Sequence, residues 1–212
     1  MIKLYDFLPC PFGQKVRIIL AEKGLSYELV QIDFTQGEQR KPDFLRLNPF
    51  GRVPVLIDED ITVYDSTIIA EYLEDEYPEP PLLPAIGSSA QRARARTWED
   101  FADSQFTPQV GQLMGEMGKP EGDRDPARLQ KFQRSIERVL DFLNHELQGQ
   151  DYLAQQFSIA DIGFVPRLVV LKDLGLDPGQ NRPNVEAWLN RIIDRPSVLS
   201  LEGLTVQLLA GV

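Results

Sequence analysis

Two hydrophobic rhythms share this 212-residue chain, and the place where one replaces the other limits its fold more than any other feature. Up to residue 77, strand-like and helix-like segments alternate. Ile2 to Phe7 is short, apolar-rich and β-prone. Phe12 to Lys23 carries Val16, Ile19 and Leu20 at helical spacing, with Gly24 placed to follow the helix end. Tyr27 to Ile32 reads as a second strand, and Lys41 to Leu47 as a short helix opened by Pro42 and closed by Asn48-Pro49. Val53 to Ile57 and Thr62 to Tyr64 are strands about the turn Asp58-Glu59-Asp60, and Ser66 to Tyr77 returns to helical spacing. Pro78, Pro80, Pro81 and Pro84 then fall within seven residues, a linker of restricted conformation. Beyond it strand signals nearly vanish. Ser89 to Met117, Asp125 to Leu147, Ile159 to Leu174 and Val185 to Ile193 all read as helical.

The expected architecture is therefore an α/β domain over residues 1–77, a linker over 78–88 and an all-α domain over 89–212. The first is near the lower size limit for an independent core and is expected to pack against the second. Lys and Arg number 22 and Asp and Glu 32, a formal charge of −10, which removes the general electrostatic drive toward nucleic acid. One cysteine, Cys10, and one histidine, His145, exclude an internal disulfide, a multi-cysteine zinc or iron–sulfur site and a His-rich metal centre within these residues, so no metal is expected. No signal peptide and no membrane-span-length apolar run is evident, and the expected setting is a reduced cytoplasm without membrane association.

Three places have the residue types for chemistry. Cys10 follows the first strand, and Pro11 suits the first helical position, so Cys10 is expected at the helix N-cap. Backbone N–H groups and the helix dipole there favour a thiolate, and a lowered thiol pKa is the expectation. Val53-Pro54 opens a strand after Gly51-Arg52, a candidate for a cis bond that would turn the Val53 backbone outward to pair with an extended peptide. Asp65-Ser66 lies where a strand passes into a helix; Ser66 is expected to cap that helix and to hold a carboxylate at its positive end.

Leu4-Tyr5-Asp6-Phe7-Leu8-Pro9-Cys10-Pro11-Phe12, Ala21-Glu22-Lys23-Gly24-Leu25, Asn48-Pro49-Phe50-Gly51-Arg52-Val53-Pro54-Val55-Leu56 and Asp65-Ser66-Thr67-Ile68-Ile69-Ala70-Glu71-Tyr72-Leu73 together resemble the thioredoxin-like domain of cytosolic glutathione S-transferases. The helical remainder resembles the family's second domain, and Ser158-Ile159-Ala160-Asp161 resembles its capping box, a folding element. The resemblance implies glutathione as co-substrate. Val53 would pair with its cysteinyl unit beside Pro54, and Asp65 and Ser66 would hold its γ-glutamyl end. Phe12, Gln39, Arg40 and Arg52 are further candidates for contacts to it, although Arg40 and Arg52 also read as solvated charges.

Cys10 stands where tau-like members carry a catalytic serine, and Cys-Pro-Phe is similar to the omega class, so the resemblance is to the cysteine-type, omega-, tau- and phi-like members. It implies a glutathione-dependent thioltransferase in which a second glutathione resolves a mixed disulfide, Gly13 standing where a second thiol would. Conjugation of glutathione to hydrophobic electrophiles is the alternative, and a non-catalytic interaction protein of the stringent-starvation type a rival. Tyr5 lies inside the first strand and is assigned to packing. Phe12, Trp98, Phe101, Gln105 and Phe106 are candidates for the second-substrate pocket, though such a helically spaced aromatic stripe also reads as core. The resemblance further implies a homodimer, with Phe50 and the first long helix of the second domain at its contacts.

Overall fold

A computed structural model of the chain describes residues 1–201; the last stretch of the expected helical domain, 202–212, lies outside the described residues. The apolar run Ile2–Asp6 forms β1, buried at every second residue. It pairs in parallel with β2 (Tyr27–Gln31) on one side and antiparallel with β3 (Val55–Asp58) on the other, and β4 (Ile61–Tyr64) completes the sheet in the order β2-β1-β3-β4. The parallel pair is joined by α1 (Pro11–Glu22), which ends at Lys23 and Gly24, the glycine at φ +64°. α2 (Pro42–Leu47) and α3 (Ser66–Glu76) complete a thioredoxin-like domain. The third strand begins at Val55, two residues later than expected, because Val53 and Pro54 belong to the loop that approaches it. The Val53-Pro54 bond is cis, as is Glu79-Pro80.

The expected helix over 89–117 is present in course but not in period. α4 (Ser89–Phe101) passes through a π-helical turn at Ala102–Phe106 into α5 (Thr107–Met117). Pro108 has no N–H to return to the preceding turn, which loosens the hydrogen-bond ladder there. α6 (Pro126–Glu146) is the longest helix, capped by the Asp125 carboxylate. The expected helix over 159–174 divides into α7 (Ile159–Ile162), α8 (Val165–Leu168) and a 3-10 turn at Lys172–Leu174. α9 (Pro183–Ile193) and α10 (Pro196–Leu199) follow. At the break, a β-carbon on Gly163 would stand 3.0 Å from the Ala102 β-carbon, so the missing side chain lets α7 and α4 approach closely.

The two halves share one core. Ile18, Ile19 and Leu20 of α1 are continuous with Phe106, Phe164 and Trp188 of the helical half. α1 is buried nearly all round, so its cations are matched by carboxylates: Arg17 Nε lies 3.1 Å from Asp6 Oδ2, Lys23 Nζ 2.9 Å from Glu74 Oε2, and Lys15 Nζ reaches both Glu99 and Asp103 across the domain boundary. The Ser158 capping box is formed: Asp161 accepts from the Ser158 N–H while Ser158 Oγ accepts from the Ala160 N–H. No helix among the described residues is long and apolar enough to cross a membrane.

Candidate active site

Cys10 is the N-cap of α1, as the sequence predicts, and Pro11 is its first helical residue. The side chain is half-buried against a small second core of Ile32, Phe44, Val53 and Val55, which Tyr5 and Phe7 also join. The backbone N–H groups of Gly13 and Phe12 pull the thiol pKa down, as a helix start provides, although the Cys10 side chain makes no capping hydrogen bond. The lowered thiol pKa is not what this geometry produces. Burial and the nearby Asp6 carboxyl push the thiol up to about 11, outweighing the two N–H groups and Arg167. Asp6 was hidden from a reading of helix-dipole chemistry because its effect comes from beneath the helix.

A cavity of about 610 Å³ opens beside the start of α1. Phe12, Arg52, Val53, Pro54, Asp65 and Ser66 line it, joining three segments that the sequence singled out separately. Gln39 and Arg40 are not on its wall: they sit in a 3-10 turn at Glu38–Arg40 whose backbone backs the 48–52 loop. Gly51, at φ +62°, sits where a β-carbon would come within 2.8 Å of the Gln39 carbonyl, so the loop requires glycine there. The Asn48 side chain closes the same loop, donating to the Arg52 carbonyl at 2.7 Å and accepting from the Phe50 N–H at 3.0 Å.

The cap of α3 differs from expectation. Asp65, not Ser66, is the N-cap, its Oδ1 accepting from the Thr67 N–H at 2.9 Å and the Ile68 N–H at 3.4 Å. Ser66 is the first helical residue, buried at the cavity wall. Asp65 holds φ +77°, a left-handed conformation uncommon for a residue with a β-carbon and a mark of functional turns.

The expected second-substrate residues separate. Phe12 lines the cavity, but Trp98 and Phe106 lie in the helical core, their rings 6.2 and 5.4 Å from that of Phe164. Phe101 packs edge-on against Trp98 at 5.6 Å, and Gln105 is exposed and bonded to Ser104. Trp98 and Phe106 belong to the core, while Phe101 is partly buried against it. Asp100 and Asp103 reach the cavity from the same helical run instead. The Asp103 carboxyl is pushed up to about 6 by burial, against the pull of Lys15 2.5 Å away. Its only signal in sequence is an acid pair three residues apart beside an aromatic stripe. Among the described residues no cluster of three metal-ligating side chains occurs.

A thioredoxin-like sheet domain joined to an all-helical domain, with a thiol at the first helix start and a cleft of mixed polar and apolar lining nearby, defines the class of protein. The family model for the glutathione S-transferase N-terminal domain matches residues 1–75, and that for the C-terminal domain matches residues 106–196. Glutathione S-transferase 3 of Zea mays is 33% identical over 204 residues, covering 92% of this chain and 90% of its own length. A stringent starvation protein A homolog of Pasteurella multocida is 29% identical over 195 residues, covering 92% and 86%. The solved structure of glutathione transferase URE2P6 from Phanerochaete chrysosporium, in complex with oxidized glutathione, superposes with a TM-score of 0.83 at 30% identity, covering 94% of each chain. The chain belongs to the glutathione S-transferase family.

Proposed function

We propose that the chain binds glutathione in the 610 Å³ cavity and transfers its sulfur to an electrophile. The Val53 backbone pairs with the cysteinyl unit of the tripeptide. Ser66, at the start of α3, takes the γ-glutamyl carboxylate, where helix N–H groups favour an anion. Asp65 spends Oδ1 on the helix cap, which leaves Oδ2 for the γ-glutamyl ammonium. Arg52 supplies a cation on the cavity wall for the other end of the peptide.

The choice of reaction rests on where Cys10 stands: at the start of α1, packed on a small apolar core, with the first helical turn seated on the Asp6 carboxyl, surroundings that push the thiol up to about 11. At neutral pH it is a neutral S–H, fitted to donate a hydrogen bond to the thiolate of bound glutathione and not to attack by itself. The glutathione sulfur then forms a bond to an electrophilic carbon, the leaving group departs with its electron pair, and Cys10 keeps its proton throughout. This is general stabilisation of charge by a preorganised donor. A second reading, thiol–disulfide exchange through a Cys10 thiolate, draws support from the downward pull of the Gly13 and Phe12 N–H groups on the thiol pKa.

Wild type and Cys10→Ser, assayed with an aryl halide and with a mixed disulfide of glutathione, separate the two. Sulfur transfer predicts that the serine variant keeps conjugation to within about tenfold, a hydroxyl replacing one hydrogen-bond donor with another. Disulfide reduction by wild type that vanishes in the variant overturns it in favour of exchange. Retention on immobilised glutathione without turnover of either substrate overturns it in favour of a binding protein. Failure to bind glutathione removes both enzymatic readings.

A further inference from the structure

The cavity beside α1 carries more acid than glutathione calls for. Asp65, Asp100 and Asp103 are on its wall, and among the described residues Arg52 is the only cation with them. Asp103 belongs to a group that bridges the domain boundary. Lys15 Nζ bonds both Glu99 and Asp103, and Glu99 also accepts from the Thr67 hydroxyl at 2.7 Å. Lys15 and Glu99 are buried, whereas the Asp103 side chain is partly exposed. One ammonium for two carboxylates leaves one negative charge over, and Asp103 is the side of the group that opens into the cavity. Asp100, three residues earlier, is exposed and forms no ion pair among the described residues.

Glutathione brings two carboxylates and one ammonium. In the binding mode proposed for it, Asp65 takes the ammonium, Arg52 one carboxylate and Ser66 the other. Ser66 is 4% exposed, borders the cavity and has no hydrogen-bond partner for its hydroxyl among the described residues, which fits it to bond a ligand atom. With glutathione seated, Asp100 and the surplus charge on Asp103 are still unmatched, and the rings of Phe12 and Tyr64 are on the same wall. Carboxylates and aromatic rings around one cavity suit an organic cation, which is attracted by the acids and by the negative ring faces; an anion gains neither. We propose that the second substrate is cationic: an electrophile bearing a quaternary or protonated amine, held at Asp100 and Asp103 while the glutathione sulfur meets its reacting carbon. As a substrate assignment this rests on the sulfur-transfer reading, but cation binding in the cavity can be tested without glutathione.

Benzyltrimethylammonium and benzylsulfonate share a ring and differ in the sign of their charge. Titrated by calorimetry without glutathione at one ionic strength, the cation is expected to bind wild type about tenfold tighter than the anion. Asp100→Asn narrows that gap to about threefold, the loss of one exposed charge. The double variant Asp100→Asn/Asp103→Asn brings the two ligands level; should it fail to fold without the Lys15 contact, Asp100→Lys serves in its place. Equal affinity of wild type for the two ions overturns the proposal, as does a preference that these substitutions leave intact. A loss of glutathione affinity in Asp100→Asn as large as the loss for the cation also overturns it, because the acid then serves the γ-glutamyl ammonium. Chloronitrobenzyl derivatives give the second readout. The glutathione sulfur bonds to the ring carbon, chloride departs with its electron pair, and the glutathione thiol proton passes to the buffer. With each value divided by the uncatalysed rate for the same reagent, the trimethylammonium derivative is expected to show a kcat/KM about tenfold above that of the sulfonate, falling to about threefold in Asp100→Asn. Equal values for the two derivatives in wild type overturn the proposal. If neither derivative is turned over, the sulfur-transfer reading fails while the calorimetric preference still decides on the cation.

Discussion

Gly13 and Asp6 occupy one place: a β-carbon on Gly13 would lie 1.8 Å from Asp6 Oδ1. The first turn of α1 thus sits directly on the carboxyl that ends β1, and that contact brings Asp6 under the Cys10 sulfur. Because Asp6 is fully buried and paired with Arg17, it has nowhere to retreat. Gly13→Ala is expected to destabilise the fold by about 3 kcal/mol, the upper range for overpacking, read as a lower denaturant midpoint at unchanged slope. Wild-type stability in that variant would show that the helix start can shift.

The same carboxyl makes stability depend on pH. Burial raises Asp6 to about 6, against an ordinary value of 3.8, despite Arg17. Between those values the folded chain holds a proton that the unfolded chain has released. The stability from this group is therefore present below about pH 3.8 and is lost as pH rises through about 6. Asp6→Asn is expected to flatten the fall in melting temperature between pH 4 and 7 relative to wild type, within about that window. It also removes a negative charge beside Cys10, so the thiolate absorbance of the variant is expected to appear at lower pH than in wild type.

Asp65 has two tasks, and its substitution should show both. Asp65→Ala loses the α3 cap, at about 1 kcal/mol, and also the acid offered to the γ-glutamyl ammonium, with glutathione affinity falling about tenfold. Asp65→Asn keeps a cap and loses the charge. Affinity lost in both variants with stability lost only in the first separates ligand binding from capping; calorimetry and thermal melts measure the two.

Asp161 belongs to folding alone. It is fully buried and accepts from the Leu153 N–H, the Ser158 N–H and the Trp188 indole at 2.8–3.0 Å. Asp161→Ala leaves three buried donors without a partner and is expected to cost about 3 kcal/mol or more, with the glutathione affinity of the folded fraction unchanged. A selective loss of affinity in folded protein would contradict that assignment.

The order of strands and helices was legible because it depends on local rhythm, proline and glycine punctuation, and short loops. Cys10 at the start of α1 followed from residue type and spacing, and the capping box at Ser158 from the family resemblance. The breaks did not show in the helical rhythm of 89–117 and 159–174: Pro108 loosens one run into a π turn, and Gly163 divides the other at a close contact with α4. In the site, Arg52, Val53, Pro54, Asp65 and Ser66 were visible as a motif. Asp6, Asp103 and Arg167 were not, because their influence depends on burial and on approach from elements far away in sequence. The ionisation of Cys10 was misjudged for that reason: the helix start favours a thiolate, but the carboxyl beneath it and the apolar surroundings do not.

The Lys15 ammonium, shared between Glu99 and Asp103 across the domain boundary, limits how the two halves can be exchanged. A gene fragment encoding the sheet half, spliced to a helical half lacking those two acids, would carry a charge stranded in the seam. Lys15, Glu99 and Asp103 therefore form one unit across the boundary, and a chimera is expected to keep its stability only where all three travel together.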